Sequence, residues 1–212
     1  MTISAPLKLK NQRNVSYRAT LSSRENGFSL LEVLISIIIF SFGLLGMVGL
    51  QAAALRSNRE ARLQSIAVTL TRELAEMMRN NKDISLLTTG NPYLGNFTSP
   101  LTPTTASYCL NVANTTACAD TTTIANAEMT EWLSRVSAEL PGAHVTVCAD
   151  SAPFDTSTGL PQWACTAGAG ATTVNKLGWT RTSTDRSATG ASALDRATIP
   201  ALILPITSGN SV

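Results

Sequence analysis

One carboxylate, Glu32, stands at the threshold of a stretch in which nothing else ionises: Val33 to Leu55 is 23 residues without a charge or a proline. An acid at membrane depth costs on the order of 2–3 kcal/mol near mid-bilayer and less toward the interface. Left unpaired in a dry environment it is strongly unfavourable, so Glu32 calls for a cationic partner. Immediately before it run Gly27-Phe28-Ser29-Leu30-Leu31. Further along stand four cysteines, Cys109, Cys118, Cys148 and Cys165, all beyond the apolar run. An even number in a translocated domain reads as disulfides. Three pairings are formally open, and neighbour pairing, Cys109–Cys118 with Cys148–Cys165, closes the two shortest loops. Zinc is the alternative use of four thiols. Against it, gaps of eight and sixteen residues lack the usual C-x₂₋₄-C element. His144 is the single histidine and is read as a surface residue rather than a ligand or a base. There is no metal-ligand cluster, no glycine-rich phosphate loop after a strand, and no histidine beside a nucleophile motif. Neither catalysis nor a cofactor is expected.

These residues need elements to position them. At ~1.5 Å rise per residue the 23-residue run makes ~34 Å of helix, enough to cross a ~30 Å hydrocarbon core. The helix is expected to continue past Arg56, because Leu63, Ile66, Ala67, Leu70, Leu74, Met77 and Met78 recur at i, i+3, i+4, i+7. Arg59, Arg62, Arg72, Glu73, Glu76 and Arg79 occupy the opposite face. One helix from about Phe28 to Asn81 follows, its first half uniformly apolar and its second half carrying a single packing stripe. Residues 84–121, rich in Thr, Ser, Asn, Gly and Pro, read as a loop. Within it Asn96-Phe97-Thr98 and Asn114-Thr115-Thr116 match a glycosylation pattern and are taken as chance. A second helix is expected over about Ala125–Leu140, with Met129, Trp132, Leu133, Val136 and Leu140 on one face and Pro141-Gly142 ending it. Strands are expected at His144–Cys148, Thr173–Thr180 and Thr198–Ile206. The last, broken by Pro200 and Pro205, suits an edge. Ser151–Gly159 and Ser183–Ala193 read as excursions. The fold class expected is α+β: a long amino-terminal helix packed on a small antiparallel sheet with one further helix.

Charge separates the first 27 residues from the rest. Lys8, Lys10, Arg13, Arg18 and Arg24 against Glu25 give that segment +4 within a chain of net +2. A basic flank before an apolar run suits the cytoplasmic side of a membrane. A single aromatic, Tyr17, falls among these charges, too little stacking surface for nucleic-acid binding to be expected.

Gly27-Phe28-Ser29-Leu30-Leu31-Glu32, set between a basic leader and an apolar helix, resembles the processing motif of type IV prepilins and pseudopilins. The resemblance implies that a prepilin peptidase cuts between Gly27 and Phe28 and methylates Phe28, and that Glu32, then the fifth residue, meets the terminal charge of a neighbouring subunit as a register lock. It implies four regions: a leader at 1–27 that is removed, an apolar membrane and assembly half of the helix at 28–55, an amphipathic half at 56–82, and a periplasmic globular domain at 83–212. Arg72-Glu73-Leu74-Ala75-Glu76-Met77-Met78-Arg79-Asn80-Asn81, Glu131-Trp132 through Leu140-Pro141-Gly142, and Gly178-Trp179 are similar to the type IV pilus modification proteins, the PilV family. That family implies a minor pilin held in the inner membrane of a Gram-negative bacterium and then in the filament. Its implied partners are the peptidase, other minor pilins, the major pilin and a tip adhesin, with priming of assembly and adhesion as its roles.

Other readings stay open on residues alone. Ala52-Ala53-Ala54 satisfies a small-x-small cleavage rule, but secretory apolar cores run ~7–15 residues. A plain single-pass anchor, a minor pseudopilin of a type II secretion system and a membrane-anchored periplasmic binding module share the helix or the motif.

Overall fold

The first described residues, Gly27 to Ser29, are irregular, and a single helix α1 then runs from Leu30 to Asn80. In this computed structural model the described residues are 27–183, 187, 189 and 194–207. The leader up to residue 26 and most of the Ser183–Ala193 excursion lie outside them. The chain divides into two compact units, with the boundary inside α1 after Gln51.

In the amino-terminal unit, every described residue through Gln51 is exposed. Helix formation here owes nothing to tertiary packing within the chain. It rests on strong formers and on a run of Ile and Leu whose backbone bonds are all satisfied inside the segment. By length and composition α1 is the one helix among the described residues able to cross a membrane.

In the second unit the stripe on α1 finds its partners. Ala67, Leu70, Leu74 and Met78 are buried in a core with Tyr93, Phe97, Met129, Trp132, Leu133, Val136, Val145, Leu177 and Trp179. A one-turn helix α2, Lys82–Ser85, follows α1. Strand β1, Gly95–Thr98, lies within the segment expected to be loop. Four residues with polar Asn96 and Thr98 carry little local signal, and β1 exists because it pairs with the next strand. Helix α3 runs from Thr121 to Glu139, starting four residues earlier than expected. Three β-branched threonines open it, but Asp120 caps them by accepting from the Thr123 N–H at 2.6 Å. The expected Pro141-Gly142 stop holds, and Gly142 takes φ +58° with Thr180 packed where a Cβ would stand.

The sheet is antiparallel throughout, in the order β1, β2 (His144–Asp150), β3 (Thr172–Gly178), β6 (Leu202–Pro205). A separate two-residue pair joins β4, Arg181–Thr182, to β5, Leu194–Asp195. The proline-containing last strand is an edge, as expected. The registers align Phe97, Val145, Leu177 and Leu202 across the sheet, and the first three are buried in the core shared with both helices. The opposite face aligns His144 with Gly178, Thr146 with Lys176 and Cys148 with Val174. That face is covered by the excursion between β2 and β3: Trp163 stacks on His144 at 3.6 Å and lies where a Cβ on Gly178 would meet it.

Four polar contacts hold the helices and sheet in register. The Trp132 indole N–H donates to the Leu70 carbonyl at 2.8 Å. Asn175 Nδ2 donates to Thr71 Oγ1 at 2.9 Å, both residues being buried. Glu60 receives Arg181 at 2.9 Å and the Trp179 indole N–H at 3.4 Å. The expected fold class is the observed one, a long apolar helix with a small antiparallel sheet and a second long helix, an architecture consistent with the pilin-like fold.

Candidate processing and assembly site

Gly27, Phe28 and Ser29 form no regular structure and are exposed, with Phe28 at 84%. The Gly27–Phe28 peptide bond therefore lies in accessible, non-helical backbone, the conformation a peptidase needs to reach a carbonyl. The Ser29 carbonyl accepts from the N–H groups of Glu32 at 2.9 Å and Val33 at 3.3 Å and so starts the helix. Glu32 falls in the first turn, where the unsatisfied N–H groups and the helix dipole favour a negative charge. It is exposed and takes part in none of the ion pairs found among the described residues. Within the run, Ser36 and Ser41 donate their hydroxyls to the carbonyls of Glu32 and Ile37, each at 2.7 Å. Their polarity is thus absorbed inside the helix, whereas the carboxylate of Glu32 at its threshold still requires a partner.

The cysteines pair as Cys109–Cys118 and Cys148–Cys165. Cys148, Asp150 and Cys165 gather within 4.8 Å of one another, but both sulfurs are bonded to each other and the group offers no thiolate to a metal. Asp150 is committed as well. Lys176, wholly buried, places its ammonium 2.5 Å from Asp150 Oδ2, 2.8 Å from the Gln162 carbonyl and 2.6 Å from the Ala164 carbonyl. Three acceptors match three N–H bonds. Asp150 Oδ1 accepts in turn from the backbone N–H groups of Ala152 at 2.9 Å and Thr166 at 3.0 Å. Burial works against the charged carboxylate. The Lys176 hydrogen bond, the two backbone donors and the lysine's charge outweigh it and hold Asp150 below the usual carboxylate range.

Sequence reasoning missed this pair. Nothing in the expected strand Thr173–Thr180 marks a lysine as buried; the covering excursion turns the face of Lys176 inward. A signal was present in Cys148 and Asp150, two residues apart on one strand face: a disulfide from Cys148 brings chain over that face, and the acid beside it then needs a cation.

His144, expected at the surface, is half-buried instead. It stacks on Trp163, with Nε2 2.7 Å from Asn96 Oδ1. Burial lowers its pKa below the ordinary histidine value. At the junction of α1 and α3, the Tyr93 hydroxyl donates to the Glu128 carboxylate. Burial raises the Tyr93 pKa, and the bond and charge of Glu128 raise it further.

Residues 22–48 match the family model described as the prokaryotic N-terminal methylation motif. No curated protein and no solved structure matches the chain. The matched stretch holds Gly27, Phe28, Glu32 and the apolar start of α1, and it supports a type IV pilin-like prepilin. The motif implies processing by a prepilin peptidase and assembly with other pilins, a structural rather than an enzymatic part.

Proposed function

We propose that the chain is a minor pilin of a type IV pilus, most like the type IV pilus modification proteins. In this reading the leader, residues 1–27, is cut away between Gly27 and Phe28, and Phe28 is methylated. Residues 28–55 first anchor the subunit in the inner membrane and then join the filament. Residues 56–82 link this half to a periplasmic domain over residues 83–212, where oxidising conditions keep the two disulfides closed. The carrying observation is the methylation motif at residues 22–48, laid over an accessible Gly27–Phe28 bond and a first-turn acid without an ion pair.

The mechanism follows from two physical demands. Leaving the bilayer uncovers an apolar helix surface, and covering it again with neighbouring helices is favourable by roughly 25 cal/mol per Å². That attraction is non-directional and sets no register. Glu32 supplies one: its charge is tolerated in an apolar bundle only beside a positive group, and the freed amino terminus of an adjacent subunit is such a group. Other minor pilins, the major pilin and a tip adhesin are the partners, with priming of assembly and tip display as the role.

Mass spectrometry of sheared pili tests the reading. The expected result is this chain beginning at a methylated Phe28. Recovery from peptidase-containing cells with the first 27 residues attached overturns it. Glu32→Ala is expected to insert in the membrane normally yet lose most of its incorporation into filaments; unaltered incorporation removes the register role.

A further inference from the structure

Helix α3 buries Met129, Trp132, Leu133 and Val136 and turns a second face outward, where Glu131, Ser134 and Ser137 stand exposed. Against this face lies the segment that ends in the Cys109–Cys118 loop, and between them runs an open groove of about 850 Å³. That volume is within the ~300–1,000 Å³ of small-molecule sites. Ser107, Tyr108 and Asn111 form the opposite wall, and no lysine or arginine lines the groove.

We infer that this groove is a binding site for a short, uncharged oligosaccharide. Tyr108, two-thirds exposed at 66%, is its one aromatic residue. A flat ring with a polar edge can stack on the C–H face of a pyranose while its hydroxyl joins the surrounding hydrogen bonds. Serine hydroxyls, the Asn111 amide and the Glu131 carboxylate are the donors and acceptors that a row of sugar hydroxyls needs. Glu131 is in none of the ion pairs among the described residues, so its oxygens accept from a ligand without first losing a partner. A groove with one carboxylate and no cationic side chain repels anionic glycans, which makes the specificity neutral.

The wall is also built before any ligand arrives. The Tyr108 carbonyl accepts from the Asn111 N–H at 3.0 Å and from Asn114 Nδ2 at 3.2 Å. The Ser107 N–H donates to Thr130 Oγ1 on α3 at 3.1 Å. The Cys109–Cys118 bond closes the loop behind the tyrosine. Such bracing reduces the ordering cost of binding, which is the main obstacle to affinity at a shallow site. Leu101, Leu110 and Val112 add apolar surface to the same groove. The groove goes beyond the pilin reading and does not depend on it.

The test uses the full chain in detergent on surfaces bearing lactose, maltotriose, cellotriose, N-acetyllactosamine and, as the anionic control, sialyllactose. Retention on at least one neutral saccharide, weakened at least tenfold in both Tyr108→Ala and Ser134→Arg and absent on sialyllactose, is the expected result. Both positions are exposed, and denaturation midpoints equal to the wild type assign the loss to the groove. Retention on none of the neutral saccharides, a preference for sialyllactose, or neutral binding untouched by both substitutions overturns the inference. So does a concentration-dependent dimer that Ser134→Arg abolishes while no saccharide binds, since the groove then takes a second copy.

Discussion

The two halves of α1 are one helix with opposite fates. From Phe28 to Leu50 the large apolar side chains range from 47% to 84% exposed, whereas Ala67, Leu70, Leu74 and Met78 lie between 0% and 5%. A folded protein does not leave a continuous apolar surface in water without a use for it. The second half has its partners in the same chain: α3, the sheet and the indole of Trp132. The first half has none among the described residues, so its partners are lipid or other chains. Apolar side chains thus serve folding in one half and face lipid or other chains in the other, and the distinction lies in where the complementary surface is encoded.

Substitutions of the same chemical kind should therefore have unequal consequences. The largest effect is expected in the folded body at Lys176→Met, which strands the buried Asp150 carboxylate. A loss of about 3–5 kcal/mol is expected in chemical denaturation of the detergent-solubilised chain. The double change Lys176→Met with Asp150→Leu should recover much of it, because an apolar pair of similar volume replaces the ions. Trp132→Ala comes close behind at about 3–5 kcal/mol, combining an aromatic cavity with the lost bond to the Leu70 carbonyl. Its counterpart in the exposed half, Ile38→Ala, should shift the same midpoint by less than about 0.5 kcal/mol and show its effect only in filament incorporation. An equal loss of folding stability at both positions would break the comparison between the halves.

Acid should act on the body in two stages. His144 has a lowered folded pKa because burial disfavours its charged form. Its contribution is complete above the ordinary histidine pKa and fades as pH falls through the folded value. Asp150 is depressed by its hydrogen bonds and Lys176. Its share is present above the usual carboxylate range and is lost only at lower pH still, on protonation. Denaturation followed against pH should show both stages, with His144→Gln removing the first and leaving the second. A further effect is local. Gly142→Ala must hold an L-residue at φ +58° against Thr180, a strain of roughly 1–3 kcal/mol, detectable as faster hydrogen exchange at the α3–β2 turn.

Local signals made both helices legible. A run of 23 uncharged residues and a four-turn apolar stripe are patterns within one element, and the structure reproduces them to within two residues at each end of α1. The Pro141-Gly142 stop, the strand after it and the edge character of the last strand were equally readable, since proline and glycine act on their own backbone. β1 was not, because four residues with two polar positions owe their conformation to β2. The processing motif was legible for the same reason as the helix: its parts are contiguous.

By itself, then, the sequence determined the membrane-length helix, the acid at its threshold, the candidate cleavage point and the α+β composition of the body. All of these depend on neighbours within a few positions along the chain. Only the tertiary structure decided that β1 forms, that Lys176 is buried on Asp150, that His144 lies beneath Trp163, and that α3 and the Cys109–Cys118 loop enclose a groove. Each of these joins segments about 20 to 50 residues apart. Whether a polar side chain there meets water or a partner depends on which segment covers it, a choice made by chain packing rather than by residue type.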